Sequence, residues 1–66
     1  MHHGNVKWFD LSRGIGSIEP EQGEDILVDS AALRRSGIST LREGQVVAFD
    51  LNWRRGEAIA EDLKVL

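Results

Sequence analysis

Basic and aromatic side chains stand side by side near the start of the chain, in Lys7-Trp8-Phe9, and a second basic segment follows in Arg13-Gly14-Ile15-Gly16-Ser17-Ile18. Rings on a sheet surface can stack on unpaired bases, and Lys or Arg beside them can contact phosphates. These residue types and their spacing are therefore typical of a surface for single-stranded nucleic acid. The second segment has the charge and the glycines of such a surface but contains no ring.

Few groups in the chain could serve catalysis or metal binding. There is no cysteine, and the only histidines, His2 and His3, lie in a start that could be native, added or disordered. Asp10, Asp25 and Asp29 could approach one another across strands, but paired catalytic carboxylates need a concave pocket that a domain this small seldom provides. We therefore expect no enzyme, no metal site and no cofactor.

Length and composition indicate one small folded domain over residues 1–66. The chain is 41% hydrophobic and 29% charged, and a chain this short cannot support two cores. Its net charge of −3 argues against a strong nonspecific hold on polyphosphate. No apolar stretch approaches the roughly 20 residues that span a bilayer, and nothing resembles a signal peptide. We expect a cytoplasmic protein with no membrane contact.

The elements that must position these residues are short strands, because apolar positions alternate and glycines separate the alternating runs. The predicted strands cover residues 4–10, 15–19, 25–29, 45–52 and 57–65. Ser30 is the predicted N-cap of one helical turn that ends at Ser36-Gly37. Trp53-Arg54-Arg55-Gly56 is predicted to form a loop between the last two strands.

Three meandering strands, a long connection and a closing hairpin predict an all-β, five-stranded antiparallel OB-fold-type barrel with one short helical turn. An SH3-like barrel is the alternative on pattern alone. Period-two alternation separates inward from outward positions. The predicted inward positions are Ile18, Ile26 and Val28, with Leu63 and Val65 closing the core. The predicted outward positions are Ile15, Ser17, Leu27 and Asp29.

Over nearly its whole length the chain resembles the bacterial cold-shock proteins, in a register that is almost free of gaps until the final hairpin. The matching positions are Gly4, Val6-Lys7-Trp8-Phe9, Arg13-Gly14, Gly16, Ile18-Glu19, Asp25, Val28, Ser30-Ala31-Ala32-Leu33, Gly37, Thr40-Leu41, Glu43-Gly44-Gln45 and Ala60-Glu61-Asp62-Leu63. The resemblance implies a five-stranded barrel with one face that binds single-stranded RNA or DNA with little sequence preference.

The chain departs from that family at its rings. The family's first ribonucleoprotein-type motif reads Lys-Gly-Phe-Gly-Phe-Ile, whereas residues 13–18 here retain the glycines and the charge but neither ring. The second motif, typically Val-Phe-Val-His-Phe, reads Ile-Leu-Val-Asp-Ser at residues 26–30. Ile38 also stands where an aromatic is usual. Losing five or six stacking positions at about 1 kcal/mol each would weaken binding roughly 10³- to 10⁴-fold, with allowance for non-additivity.

The predicted nucleic-acid-binding residues are those that match the family's face or that could replace it. They are Lys7, Trp8, Phe9, Arg13, Ile15, Leu27, Ile38 and Trp53. Trp8 is the leading candidate for stacking, because it lies among polar neighbours on a strand that carries Lys7. Phe9 could equally fill the mouth of the barrel. Trp53, with the two arginines that follow it, could form a second stacking platform or cover the barrel's lower edge.

The alternative function is that of a degenerate barrel that binds another protein or a second copy of itself. Ile15, Leu27 and Ile38 would then form an exposed apolar patch of the kind that marks protein contacts. We favour weak binding of single-stranded RNA or DNA, because Trp8 and the basic residues persist.

Overall fold

The computed structural model describes residues 1–66 as five strands and one short helix. Their bounds are β1 His2–Asp10, β2 Ile15–Pro20, β3 Ile26–Asp29, α1 Ser30–Arg35, β4 Val46–Arg54 and β5 Glu57–Val65. The strands close into one barrel in the order β1-β2-β3-β5-β4. The predicted all-β, five-stranded OB-type barrel with one short helical segment is therefore confirmed.

One strand pair differs from the antiparallel arrangement that we predicted. β3 and β5 run parallel, with Leu27 opposite Ile59, whereas the other neighbouring strands are antiparallel. An odd number of strands in a closed ring cannot alternate in direction all the way round, so at least one pair must be parallel. The long connection through α1 and β4 provides the crossover that a parallel pair requires.

Inward-facing side chains from every strand and from α1 form a single core. Its buried members are Val6, Ile18, Ile26, Val28, Ala32, Leu33, Leu41, Val47, Phe49, Ala60 and Leu63. They include the three inward positions predicted for the second and third strands. Because successive strand residues point to opposite faces, the residues between these positions are left on the outside of the barrel.

The prediction that Val65 closes the core is wrong. Val65 pairs with Val47 at the end of β5 and is 41% exposed. β5 meets β3 only at Ile59, so the end of β5 that carries Val65 has a partner strand on one side only. Leu63, the other residue predicted to close the core, is buried.

β1 begins earlier than predicted, at His2 instead of Gly4. His2 and His3 pair with Phe49 and Ala48 of β4, and this pairing closes the barrel. The His2 ring also stacks on the Phe49 ring, with 5.9 Å between their centroids. These two histidines therefore belong to the sheet.

The hairpin between β4 and β5 is tighter than predicted. β4 extends to Arg54, so Trp53 and Arg54 lie in the strand, and the prediction that they form a loop is wrong. The turn itself is Arg55-Gly56, and both residues have positive φ angles, of 51° and 80°. Two left-handed residues make the two-residue turn whose twist matches that of the flanking strands, which lets pairing continue to the last pair, Arg54 with Glu57.

Asp29, and not Ser30, is the N-cap of α1. Asp29 is extended, and its carboxylate accepts a hydrogen bond from the backbone N–H of Ala32 at 2.8 Å. Ser30 already lies within the helix, so the predicted cap was wrong by one residue. The helix ends at Ser36 and Gly37 as predicted, with Gly37 at a φ of 74°. At six residues, α1 cannot cross a membrane, and no other helix is present.

Candidate nucleic-acid interface

Three side chains form a row across the outside of the first three strands. Trp8 of β1 lies opposite Ser17 of β2, and Ser17 lies opposite Leu27 of β3. Directly opposed residues share one face of a sheet. Trp8 is 40% exposed and Leu27 is 38% exposed, whereas Ser17 between them is only 6% exposed. The row therefore presents an indole ring and an aliphatic side chain with a small, covered residue between them.

Lys7 places a positive charge next to this row. The register between β1 and β2 shifts between Val6 and Trp8, so Lys7 has no directly opposed residue on β2. Its ammonium Nζ lies 2.9 Å from a carboxylate oxygen of Asp25, just before β3. The hydrogen bond and the charge of Asp25 raise the pKa of Lys7 above its usual range. Asp25 therefore holds the lysine head group that would otherwise be free for a phosphate.

The turn between β1 and β2 presents Arg13 at the edge of the same surface. The Asp10 carboxylate accepts hydrogen bonds from the Ser12 hydroxyl at 2.7 Å, the Ser12 N–H at 3.1 Å and the Arg13 N–H at 3.2 Å. These bonds, led by that of the Ser12 hydroxyl, lower the pKa of Asp10. Gly14 closes the turn with a φ of 71°. Arg13 is exposed, and the hydrogen bonds to Asp10 fix the backbone of the turn that carries it.

Phe9 differs from its neighbour Trp8 because it packs against the core. It is half-buried and lies opposite Gly16 on β2. A Cβ atom on Gly16 would lie 2.5 Å from Cδ1 of the Phe9 ring, so only glycine permits this close approach. Phe9 is therefore part of the barrel wall, and its predicted contact with nucleic acid remains a prediction.

The predicted patch of Ile15, Leu27 and Ile38 is only partly assembled. Ile15 and Leu27 lie on the outside of β2 and β3, with Ile15 half-buried and opposite Asp29. Ile38 is half-buried against the core and lines a shallow depression near Leu11 and α1 that includes neither of the other two. We use the term β1–β3 surface for Lys7, Trp8, Arg13, Ile15, Ser17 and Leu27.

Asp29, an outward residue at the end of β3, adds little uncompensated negative charge to this surface. Besides capping α1, its carboxylate lies 3.6 Å from the Arg54 guanidinium. Arg54 also lies 3.4 Å from Glu61, which in turn is 3.7 Å from Arg35. The two acidic and two basic side chains compensate one another. Arg54 forms these ion pairs on the side of β4 away from Trp53, because adjacent strand residues point to opposite faces.

Trp53 lies in a separate groove between the β2–β3 loop and the β4–β5 hairpin. Its side chain is 65% exposed, and the groove has a volume of about 350 Å³. Ile26, Leu27, Leu51 and Ala58 supply its other apolar lining, and Glu24, Asp25 and Glu57 supply carboxylates. We call this the Trp53 groove. Of the two arginines that follow Trp53, Arg54 lies near Asp29 and Glu61 on the other face of β4, and Arg55 lies in the turn. The stacking role of Trp53 stays a prediction.

Comparison with known proteins decides between the families compatible with such a barrel. The family model described as 'Cold-shock' DNA-binding domain matches residues 2–66. The chain belongs to this cold-shock family. A major cold shock protein of Streptococcus pyogenes is 47% identical over 51 residues, which is 77% of this chain and 76% of that protein.

Two further cold-shock relatives agree. Cold shock protein CspC of Bacillus subtilis is 45% identical over 77% of each chain. A cold shock-like protein CspC of Bacillus cereus is 41% identical over 63 residues, or 94% of this chain and 97% of that protein. The predicted family is thus confirmed, and the chain is a nucleic-acid-binding protein of the cold-shock type.

Sequence reasoning missed the carboxylates that surround the two tryptophans. Asp25 pairs with Lys7 across 18 positions of the chain, and no local motif signals that contact. Glu24 and Glu57 meet at Trp53 only because the β2–β3 loop lies beside the β4–β5 hairpin. The cap at Asp29 had a local signal, since aspartate is as strong an N-cap as serine.

Proposed function

We propose that the β1–β3 surface of this cold-shock protein binds single-stranded RNA or DNA, with Trp8 as its main stacking ring. The observation that carries the proposal is the exposure of Trp8, at 40%, in a row with Leu27 on the outside of the barrel. Unpaired bases expose π-faces that can stack on an indole and pack on an aliphatic side chain. Paired bases are stacked inside a helix and cannot reach such a row.

Lys7 and Arg13 are the proposed phosphate contacts, because both are exposed and flank Trp8 along the chain. Each contact to a single strand contributes about −0.7 to the slope of the logarithm of the binding constant against the logarithm of salt concentration. Because Arg13 is in no ion pair but Lys7 is held by Asp25, the slope should lie between about −0.7 and −1.4. This dependence on salt is weak, as expected for a chain whose net charge is −3. Stacking must therefore supply most of the binding free energy.

The binding is proposed to be weaker than that of a surface with a full set of rings. Ile15 and Leu27 offer apolar contact to a base but not the stacking of an aromatic ring, which is worth about 1–3 kcal/mol per base. The reduction is about 10³- to 10⁴-fold if about five rings are missing. We further propose that the protein acts in the cytoplasm, and that it binds without catalysing a reaction.

Replacing Trp8 tests the proposal. Trp8→Ala should weaken binding of a fluorescein-labelled hexathymidine by about five- to hundredfold, because one stacking ring is worth about 1–3 kcal/mol. Fluorescence anisotropy at about 20 mM and about 150 mM salt measures both the affinity and its salt slope. Trp8→Phe retains a ring and should recover most of the loss.

Val46→Ala is the matched control for losing exposed apolar area, since Val46 is 45% exposed on β4 and lies outside the β1–β3 surface. It should leave the affinity unchanged. Far-ultraviolet circular dichroism should show the same fold for all variants. Equal affinities of Trp8→Ala and the parent would contradict the proposal. A larger loss on Trp53→Ala than on Trp8→Ala would instead support Trp53 as the main stacking ring.

A further inference from the structure

The Trp53 groove has the size and lining of a site for a single side chain. Its volume of about 350 Å³ is at the lower end of the range for ligand pockets. Leu27, Leu51 and Ala58 line it, and the Trp53 ring, more than half of it open to solvent, forms one wall. A chain of methylene groups could lie along such a lining while its polar end stays near the rim.

The charged residues of the groove are all acidic. Glu24, Asp25 and Glu57 line it, and no lysine or arginine does. Asp25 is paired with Lys7, but neither Glu24 nor Glu57 takes part in any of the ion pairs of the structure. Two carboxylates without a cationic partner therefore face the groove that contains Trp53.

Arg54 does not bring its positive charge to this groove. It is adjacent to Trp53 in the chain, but its guanidinium lies near Asp29 and Glu61 on the other face of β4. The charged side chains that line the groove beside Trp53 are thus carboxylates only. A phosphate entering the groove would meet like charges, whereas a cation would meet opposite ones.

We propose that the Trp53 groove binds an arginine side chain from a basic segment of a partner protein. A planar guanidinium can stack on the indole ring and donate hydrogen bonds to a carboxylate at the same time, and its aliphatic stem fits an apolar lining. The charge complementarity and the size of the groove both match this occupant. The groove borders the β1–β3 surface through Leu27 and Asp25, so a partner bound there would lie beside the nucleic acid.

A capped tetra-arginine peptide is the probe, and the uncharged tetra-citrulline peptide is its isosteric control. Nitrogen-15 NMR spectra resolve the indole N–H signals of the two tryptophans, which Trp8→Phe assigns. We expect the arginine peptide to shift the Trp53 signal saturably and with an affinity at least fivefold above that of the citrulline peptide. The Trp8 signal should move little.

Removing the unpaired carboxylates tests the site directly. Glu24→Gln with Glu57→Gln should weaken peptide binding by about three- to tenfold, as expected for two exposed charge contacts. The matched control is Glu43→Gln with Asp50→Asn, which removes the same number of charges from exposed positions outside the groove. The control should weaken binding less than twofold. An equal loss in both double variants would mean attraction by net charge alone and would overturn the proposal.

Two other outcomes would also overturn it. If hexathymidine shifts the Trp53 signal at the same concentrations as the Trp8 signal, the groove belongs to the nucleic-acid surface. If the Trp53 signal moves with protein concentration when no peptide is present, a second copy of the chain occupies the groove. The Glu24→Gln, Glu57→Gln variant should bind hexathymidine at least as tightly as the parent does. A negative result for arginine binding in the groove would therefore leave the proposed nucleic-acid function unaffected.

Discussion

The two tryptophans of this barrel occupy surfaces of opposite character. Trp8, at 40% exposure, follows Lys7 on β1 and shares a row with Leu27. Trp53, at 65% exposure, lies in a groove whose charged residues are carboxylates. The same side chain can stack on a base or on a cation, and the charges around it decide which ligand approaches.

The comparison also shows that charged residues adjacent in sequence do not predict the charges that surround a side chain in the fold. Trp53 is followed by two arginines, yet Arg54 turns to Asp29 and Glu61 on the other face of β4. Trp8 is preceded by a lysine whose charge is partly compensated by Asp25. In both cases an ion pair formed across the fold changes what the local sequence offers.

The largest expected effect comes from restoring rings to the β1–β3 surface. Ile15→Phe with Leu27→Phe should raise hexathymidine affinity by about ten- to hundredfold, because each ring can stack on a base. Ser17 is left unchanged because it is only 6% exposed between Trp8 and Leu27. Anisotropy titration measures the change. A gain would show that nucleic acid binds at the β1–β3 surface and not at the Trp53 groove.

Val46→Phe is the control for this variant, since it adds a ring to an exposed position of β4 outside the surface. Its affinity should equal that of the parent. An increase of the same size in the control would mean that added hydrophobicity, and not stacking on the β1–β3 surface, explains the gain.

The second prediction concerns Asp29, which pairs with Arg54 and caps α1. Asp29→Ala should lower the free energy of unfolding by about 1 kcal/mol through loss of the cap, which corresponds to a fall in Tm of about 4–8 °C. Thermal unfolding followed by circular dichroism measures it. Ser30→Ala is the matched control and should cost less than half as much. The opposite order would mean that Ser30, as the sequence suggested, is the cap.

The smallest effect is expected from releasing Lys7. Asp25→Asn should raise hexathymidine affinity by about two- to fivefold at low salt, because the lysine becomes free for a phosphate, and the salt slope should steepen by up to about 0.7. Glu43→Gln, which removes one charge from an exposed position outside the surface, should leave both unchanged. Weaker binding by Asp25→Asn would show that Asp25 itself contributes to nucleic-acid binding.

The same variant has a pH signature. The pKa of Lys7 is raised by Asp25 in the folded protein, so the pair stabilises the fold fully below the ordinary lysine pKa of about 10.4. That stabilisation is lost as the pH rises through the raised pKa. Asp25→Asn should therefore flatten the alkaline decline of the urea unfolding midpoint, and an unchanged decline would contradict the pairing.

Much of the barrel could be predicted because its signals are local. Alternation placed Ile18, Ile26 and Val28 in the core and their neighbours outside, as the structure has them. Apart from the parallel pairing of β3 with β5, the errors lie at element ends. Val65 and the Trp53-Arg54 segment were misplaced because the extent of strand pairing depends on the partner strand.

The sequence by itself determined the family, the five-stranded barrel, and which side chains stand on the outside of β1, β2 and β3. The family follows from the motifs that match along the chain, whereas the inward and outward positions follow from side-chain periodicity and from glycines such as Gly16, where a Cβ would lie 2.5 Å from Cδ1 of the Phe9 ring. Only the tertiary structure decided which charges accompany each tryptophan. Asp25 reaches Lys7, and Glu24 and Glu57 meet at Trp53, because barrel closure brings distant segments together.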